Sequence, residues 1–275
     1  MENIRELHRR AVDGIRPVLA RITPADLDRP TPCAGWALRA LLEHMAGQDH
    51  GFAATVRATR TGEEVDVAAF APRPVGADPA PALTAGLDDL VAAFAQVGDE
   101  DGPVLLPEFG TRAPVPVVVH MHLIDTLVHG WDVAAALGAQ DDYGAGLDAE
   151  VVAAALAMTE RIPDDESREA PGAPFGHALP AAPDADPWTR VLTSLGRDPA
   201  WAGEPVPRGW YAGAFGWVEA TGDGELVVAL RSGLLRGSTA RLYAGCGIVA
   251  GSDPLTEWTE AEAKLRPMLE ALAGS

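Results

Sequence analysis

Five segments within the first 162 residues carry apolar side chains at intervals of three and four residues, the spacing that gives a helix one apolar face. Helix-ending signals separate them: Pro24 follows the first segment and Gly138 follows the fourth. The segments are residues 2–22, 36–59, 83–94, 114–137 and 147–162. Because such faces are buried by packing helix on helix, a mainly α domain is predicted over residues 1–162.

The sequence changes character after residue 162. Residues 163–203 are rich in Pro, Ala and Gly, with one short helical stretch near 188–195, and are predicted to extend the helical domain. Residues 204–275 are predicted to form a small added α+β unit. Its expected elements are a hairpin around Gly222-Asp223-Gly224, one more strand within 241–249, and a final helix over 255–272.

Composition and charge exclude some classes of function. A net charge of −19 opposes binding to nucleic acid, whose phosphates are met by Lys and Arg. No apolar stretch approaches the roughly 20 residues of a membrane helix. The first residues also lack the layout of a signal peptide, so a cytoplasmic protein without a membrane partner is expected. The expected partner is a small-molecule substrate, and a homodimer is left open.

Histidine and aspartate side chains on two predicted helices have the spacing of metal ligands. His44 lies in the second segment, and Asp125 and His129 lie four residues apart on one face of the fourth. His122 and Asp132 lie on the same stripe. Two ligands from one helix and a third from a facing helix can build a metal site that keeps a position open for water or substrate. The alternative is an ordinary His–Asp hydrogen bond on one helix.

Three short motifs extend this interpretation. They are Thr31-Pro32-Cys33-Ala34-Gly35-Trp36 followed by Leu41-Leu42-Glu43-His44, then Asp125-Thr126-Leu127-Val128-His129-Gly130-Trp131-Asp132, then Leu195-Gly196-Arg197-Asp198-Pro199-Ala200-Trp201. Together they resemble the DinB-like, mycothiol-dependent maleylpyruvate isomerase family over about residues 1–201. The resemblance implies an antiparallel four-helix bundle and a divalent metal held by His44, Asp125 and His129. Zinc is the first expectation for these ligands, with nickel or iron as alternatives.

One position departs from the family pattern. The isomerase has glutamate where this chain has Asp125, which is one methylene shorter. His122 is therefore considered as an alternative ligand, and Asp132 as a side chain that holds a ligand histidine without touching the metal. Cys33 is expected to be a packed residue of the loop before the second helix rather than a nucleophile.

The same resemblance implies an enzyme. Family members include isomerases and S-transferases that use mycothiol as a cosubstrate, and in them the metal lowers the pKa of the thiol so that a thiolate attacks the substrate. We therefore expect a metal-dependent, mycothiol-linked S-transferase or isomerase that acts on a small electrophilic metabolite. The alternatives are a chorismate-pathway or dicarboxylate-binding enzyme that works through the carboxy-terminal segment, and a non-catalytic metal-binding protein.

The carboxy-terminal segment has a resemblance of its own. Its motifs are Pro207-Arg208-Gly209-Trp210-Tyr211, Leu242-Tyr243-Ala244-Gly245-Cys246-Gly247-Ile248-Val249, Ser252-Asp253-Pro254 and Glu257-Trp258-Thr259-Glu260. In this order they resemble the end of the chorismate-utilising enzymes, such as isochorismate and salicylate synthases. The resemblance implies that Tyr211, Arg231 and Lys264 hold carboxylates. It also implies that Glu257 and Glu260 help to bind magnesium.

Part of that family's machinery is missing from the segment. Lys264 is the only lysine of the chain, so the family's separate general-base lysine is not present. Glu257, Glu260 and Lys264 share one helix face, where a solvated Glu260–Lys264 pair is the simpler interpretation. The segment is predicted to be a remnant or an added module without an active chorismate site.

Overall fold

Helices make up most of the described chain, which comprises residues 3–169, 173–201, 211–236, 239–247, 249 and 251–273 of a computed structural model. The chain divides into two compact units, residues 1–204 and residues 205–275. The first unit is mainly helical, and the second combines short strands with one helix. No helix in the described ranges is long and apolar enough to cross a membrane.

Four long helices form the first unit's core. They are α1 (Ile4–Leu19), α2 (Leu38–Thr61), α3 (Ala80–Gln96) and α4 (Val115–Ala136). Helix α1 packs against α3 and α4, and α2 packs against the same two helices. This arrangement confirms the predicted mainly α fold with a four-helix bundle.

Local sequence signals begin and end these helices. Asn3 caps α1, because its side chain accepts a hydrogen bond from the backbone N–H of Arg5. Helix α2 ends at Gly62, whose φ of 73° is left-handed and therefore favours glycine. Helix α4 follows Pro114 and stops before Gly138, which has a φ of 69°. The sequence therefore places the helix ends to within a few residues.

Helix α4 is buried on almost every side. Its apolar residues include Leu123, Leu127 and Trp131, which are at most 2% exposed. Four polar residues of the same helix are buried with them: His122, Thr126, His129 and Asp132. Because a buried polar side chain needs a hydrogen-bond partner or a ligand, these four residues of α4 are candidates for a functional site.

Shorter elements complete the helical unit. Strands β1 (Val104–Leu106) and β2 (Thr111–Ala113) form an antiparallel hairpin between α3 and α4. Three short helices follow α4: α5 (Gln140–Ala145), α6 (Ala149–Thr159) and α7 (Pro187–Ser194). The sequence analysis missed the hairpin and α5, because three-residue strands and a six-residue helix are too short to show a period.

The carboxy-terminal unit contains two separate hairpins and a helix. Strand β3 (Ala214–Val218) pairs with β4 (Gly224–Val228), and β5 (Ser232–Arg236) pairs with β6 (Thr239–Tyr243), both antiparallel. Helix α8 spans Pro254–Ala273. The first hairpin and the helix were predicted, and the small α+β unit is confirmed. The further strand expected within 241–249 is present as β6, but it begins earlier and ends before the glycines of Gly245-Cys246-Gly247, and its partner β5 was not predicted.

Candidate metal centre

The three predicted metal ligands lie together inside the bundle. His44 projects from α2, while Asp125 and His129 project from successive turns of α4, and one ligand atom from each lies within 4.8 Å of the others. His129 Nε2 is 3.4 Å from Asp125 Oδ1. The rings of His44 and His129 are nearly perpendicular, with centroids 5.2 Å apart. The structure thus shows that α2 and α4 bring these three side chains together, which the spacing of residues within each helix cannot show.

The three side chains differ in burial and in charge. His129 is buried, whereas His44 and Asp125 are half-buried, so the group is open to solvent on their side. Burial lowers the pKa of His44, and His129 reinforces this effect against the opposing charge of Asp125. Burial also opposes protonation of His129, but the carboxylates of Asp125 and Asp132 outweigh it and raise the pKa of His129 to about 10.

Asp132 contacts the other side of the His129 ring. Its Oδ2 lies 2.9 Å from His129 Nδ1 and is fully buried. Although burial raises the pKa of Asp132, the nearby Arg197 guanidinium and His129 keep it below the usual value. A carboxylate can only accept hydrogen bonds, so Nδ1 of His129 carries the proton and Nε2 faces His44 and Asp125. Asp132 therefore occupies the supporting position that the sequence analysis considered.

His122 belongs to a different buried network. Its Nε2 lies 3.1 Å from Asp49 Oδ1, and its Nδ1 lies 3.0 Å from His8 Nε2 and 3.1 Å from Thr126 Oγ1. Both ring nitrogens therefore have partners away from the ligand group. Although His122 shares a helix stripe with Asp125, its ring turns toward α1 and Asp49, and it is not in the group of possible ligands.

Three residues near the ligand group have contacts that were not expected from the sequence: Arg197 and Glu108 were given no role, and Cys33 was expected only to pack in its loop. The Cys33 thiol donates to Asp132 Oδ2 at 3.2 Å, and Arg197 Nη2 donates to the same oxygen at 3.3 Å. Glu108, in the β1–β2 turn, accepts from Gln48 Nε2 at 3.3 Å, and burial and the charge of Asp125 raise its pKa. Cys33 and Arg197 lie within the quoted motifs, but nothing in their spacing links them to Asp132.

The predicted ligands of the carboxy-terminal unit are only partly brought together. Lys264 Nζ lies 2.6 Å from Glu260 and donates to the carbonyl of Gly245 at 2.9 Å. The Tyr211 ring stacks on Tyr243 at 5.9 Å, and Arg231 is exposed in the turn between β4 and β5 with a φ of 53°.

Among the described residues, neither Glu257 nor Glu260 belongs to a group of three close ligand side chains, and their role in binding magnesium stays a prediction. A hydrogen bond with Cys246, and another with Ser252, lower the pKa of Glu257. The motif residues 202–210 and 248 lie outside the described residues.

Comparison with known proteins assigns the helical unit. The family model of the mycothiol maleylpyruvate isomerase N-terminal domain matches residues 8–134. The uncharacterized protein Rv0738 of Mycobacterium tuberculosis is 30% identical over 201 residues, which cover 69% of this chain and 95% of that protein. The chain belongs to this domain family. A crystal structure of the mycothiol-dependent maleylpyruvate isomerase aligns at 16% identity with a TM-score of 0.44, over 60% of this chain and 70% of that one.

The carboxy-terminal segment matches a second family, of chorismate binding enzymes, over residues 201–273. Isochorismate synthase MenF of Bacillus subtilis is 56% identical over 71 residues, 26% of this chain and 15% of that enzyme. The salicylate biosynthesis isochorismate synthase of Pseudomonas aeruginosa is 40% identical over 103 residues, 33% of this chain and 22% of that enzyme. Both resemblances are confirmed, and the chain spans less than a quarter of the length of these two synthases.

Proposed function

We propose that the helical unit is a metal-dependent enzyme that uses a thiol cosubstrate, mycothiol, in S-transfer to or isomerisation of a small electrophilic metabolite. The observation that carries this proposal is the convergence of His44, Asp125 and His129 in a domain family named for a mycothiol-dependent isomerase. Zinc suits two imidazoles and a carboxylate best, with nickel or iron as alternatives.

The spacing of the three side chains fits a metal ion. Bonds of about 2.0–2.2 Å place ligand atoms roughly 3.2–4.4 Å apart. The 3.4 Å between His129 Nε2 and Asp125 Oδ1 falls in this range, and the 4.8 Å limit for the whole group requires only a small side-chain adjustment. This supports Asp125 as a ligand despite its shorter side chain.

The surroundings fit an open, catalytic type of site. A bound metal would lower the pKa of a thiol that joins its ligands, which makes the thiolate available at neutral pH. His44 and Asp125 are half-buried and leave that side accessible, and the Trp36 ring, 4.9 Å from the His44 ring, supplies an apolar wall. On the closed side, Asp132 holds His129 with Nε2 turned toward the ligand group.

Metal analysis of purified variants tests the ligand assignment. We expect about one equivalent of divalent metal in the unsubstituted protein, and loss of most of it in His44→Ala and His129→Ala, because two ligands hold such an ion poorly. Asp125→Glu should keep the metal. His50→Ala, an exposed change on the same helix as His44, is the matched control. Unchanged metal content in His129→Ala would overturn the assignment.

Cobalt substitution tests the thiol. When mycothiol is added to the cobalt-loaded protein, we expect a new thiolate-to-cobalt absorption band, which is missing when the metal has been removed. Thiol-dependent turnover should stop on metal removal and return on reloading, with the helical circular dichroism preserved, because apolar packing stabilises the bundle. Full turnover by verified metal-free protein would contradict the proposed chemistry.

A further inference from the structure

Asp132 is a buried carboxylate whose two oxygens have different numbers of hydrogen-bond partners. It is 0% exposed, and its Oδ2 receives three donors: His129 Nδ1 at 2.9 Å, Cys33 Sγ at 3.2 Å and Arg197 Nη2 at 3.3 Å. Within the described chain, its Oδ1 has no hydrogen-bond partner. A buried charge with one oxygen unsatisfied depends strongly on a compensating cation. The Arg197 guanidinium, itself 10% exposed, is the fixed cation that directly contacts this carboxylate.

A helix end positions Arg197 for this contact. The backbone N–H of Gly196 donates to Thr193 O at 3.1 Å, and that of Arg197 donates to Leu192 O at 2.9 Å, which closes the last turn of α7. Gly196 has a φ of 76°, and a Cβ there would lie 2.9 Å from the carbonyl oxygen of His177. The geometry therefore requires glycine directly before Arg197.

The two terminal nitrogens of the Arg197 guanidinium bind two different parts of the chain. Arg197 Nη1 donates to the carbonyl of Leu195 at 3.0 Å, while Nη2 reaches Asp132 on α4. Sixty-five residues separate the two partners in sequence. Because guanidinium is planar and always charged, it can hold both contacts in one fixed geometry.

We propose that Arg197 is a positioning residue of the metal centre: it holds Asp132, Asp132 holds His129, and the segment after α7 is thereby coupled to metal binding. This inference rests on the proposed metal site. Cys33, His129 and Asp132 are also close enough to hold an ion themselves. Arg197 Nη2 stands 3.9 Å from Cys33 Sγ and 3.3 Å from Asp132, so it already supplies the positive charge on that side.

The test measures metal affinity and the cobalt spectrum in Arg197→Met. Loss of a partner that orients a ligand typically weakens metal binding about 10–100-fold, and we expect that range here, together with a changed ligand-field spectrum of bound cobalt. Arg197→Lys keeps the charge but loses the fork, so it should restore part of the affinity. Chelator competition gives the affinity for each variant.

Arg168 supplies the matched control. This buried arginine belongs to the same extension and donates to the carbonyls of Ile162, Pro163, Gly176 and Ser194, away from the metal ligands. Arg168→Met should lower stability while the cobalt spectrum and the metal affinity of the folded protein stay unchanged. Equal metal effects in the two methionine variants would mean that Arg197 acts only through stability, and would overturn the proposal.

Gly196→Ala provides a second route in case Arg197→Met fails to fold. It leaves every polar side chain in place, but the left-handed φ and the close His177 carbonyl displace the residue that follows. We expect weaker metal binding, with a cobalt spectrum shifted as in Arg197→Met. Normal affinity and spectrum in either variant would refute the role of Arg197. Absence of metal from the unsubstituted protein would instead refute the proposed function.

Discussion

Large apolar side chains are buried in the helical unit but exposed in the β3–β4 hairpin of the carboxy-terminal unit. In the helical unit, Trp131 is 2% exposed and packs in a core built from all four long helices. In the carboxy-terminal unit, Trp217 of β3 is 54% exposed and Leu226 of β4 is 65% exposed, and every residue of this hairpin is exposed. An isolated two-stranded hairpin is marginal in water. The first unit therefore has a core of its own, whereas the β3–β4 hairpin of the second leaves its large apolar side chains exposed.

The unit with the higher sequence identity to a relative is not the unit that covers most of its relative's length. The carboxy-terminal segment is 56% identical to MenF but corresponds to 15% of that enzyme, whereas the helical unit is only 30% identical to Rv0738 but is covered almost throughout. Among the described residues, the groups of possible metal ligands lie in the helical unit. Function resides in an assembled site, so the helical unit is the better guide to what this chain does.

A matched pair of leucine substitutions should give the largest difference between the units. Leu41→Ala removes a side chain that is 0% exposed in α2, and we expect a loss of about 2–5 kcal/mol in the free energy of unfolding. Leu226→Ala removes one that is 65% exposed, and the expected change is within about 0.5 kcal/mol. Urea denaturation followed by circular dichroism measures both. Equal losses would mean that the β3–β4 hairpin is covered in solution, which would contradict the comparison.

The second prediction uses pH, because all seven histidines lie in the helical unit. Burial and the adjacent His122 ring hold the pKa of His8 well below 6.5. The unfolded chain therefore binds a proton at this position before the folded chain does, and folding stability falls as the pH drops below 6.5. The loss approaches about 1.4 kcal/mol per pH unit for one such group.

A His8→Asn variant isolates this effect. Between pH 7 and pH 5.5, its unfolding free energy should fall less steeply than that of the unsubstituted protein. The raised pKa of Asp49, which burial causes, acts in the opposite direction. Burial also lowers the pKa of His120, so His120→Asn, a half-buried change outside the His8–His122–Asp49 network, is the comparison: it should flatten the slope less than His8→Asn does. Identical pH slopes in the His8 variant and the unsubstituted protein would show that His8 titrates normally when folded.

Sequence alone predicted those parts of the molecule that repeat a local pattern. The spacing of apolar residues gave α1, α2 and α4, and it put Asp125 and His129 on one helix face. It could not show that His44 faces them, since that depends on how two helices pack, and the family resemblance supplied this step. The contact of Arg197 with Asp132 joins segments 65 residues apart through a buried ion pair. No local pattern encodes such a contact.

The same limit explains where the sequence was misleading. His122 lies on the stripe of Asp125, but the ring's direction depends on His8 and Asp49, which come from α1 and α2. In the second unit, the motif residues were recognisable one by one, yet a site requires them to converge. Lys264 contacts Glu260, as the simpler interpretation of the sequence had it, and also Gly245, while Arg231 is exposed in a turn.

The smallest expected effect concerns chorismate, which we predict this chain does not convert. The matched segment contains at most 22% of the two synthases compared, and Lys264, the chain's only lysine, is already paired with Glu260 at 2.6 Å. Such a reaction requires a base to activate the water that adds, an acid to protonate the hydroxyl that leaves, and a magnesium ion held by several carboxylates. Glu257 and Glu260 alone would leave a magnesium ion with most of its waters, so they do not supply the several carboxylates that this reaction requires.

Incubation of the purified protein with chorismate and magnesium, followed by chromatography, tests this prediction. We expect isochorismate and salicylate at the level of a protein-free control, and the same result for Lys264→Ala. The stability of Lys264→Ala should fall by about 0.5–2 kcal/mol, because the variant loses the pair with Glu260 and the hydrogen bond to the carbonyl of Gly245. Protein-dependent product that disappears in Lys264→Ala would contradict the conclusion that the carboxy-terminal unit has no working site. The exposed faces of the second unit would then have to be completed in solution, by a second copy or by another part of the chain, into a working site.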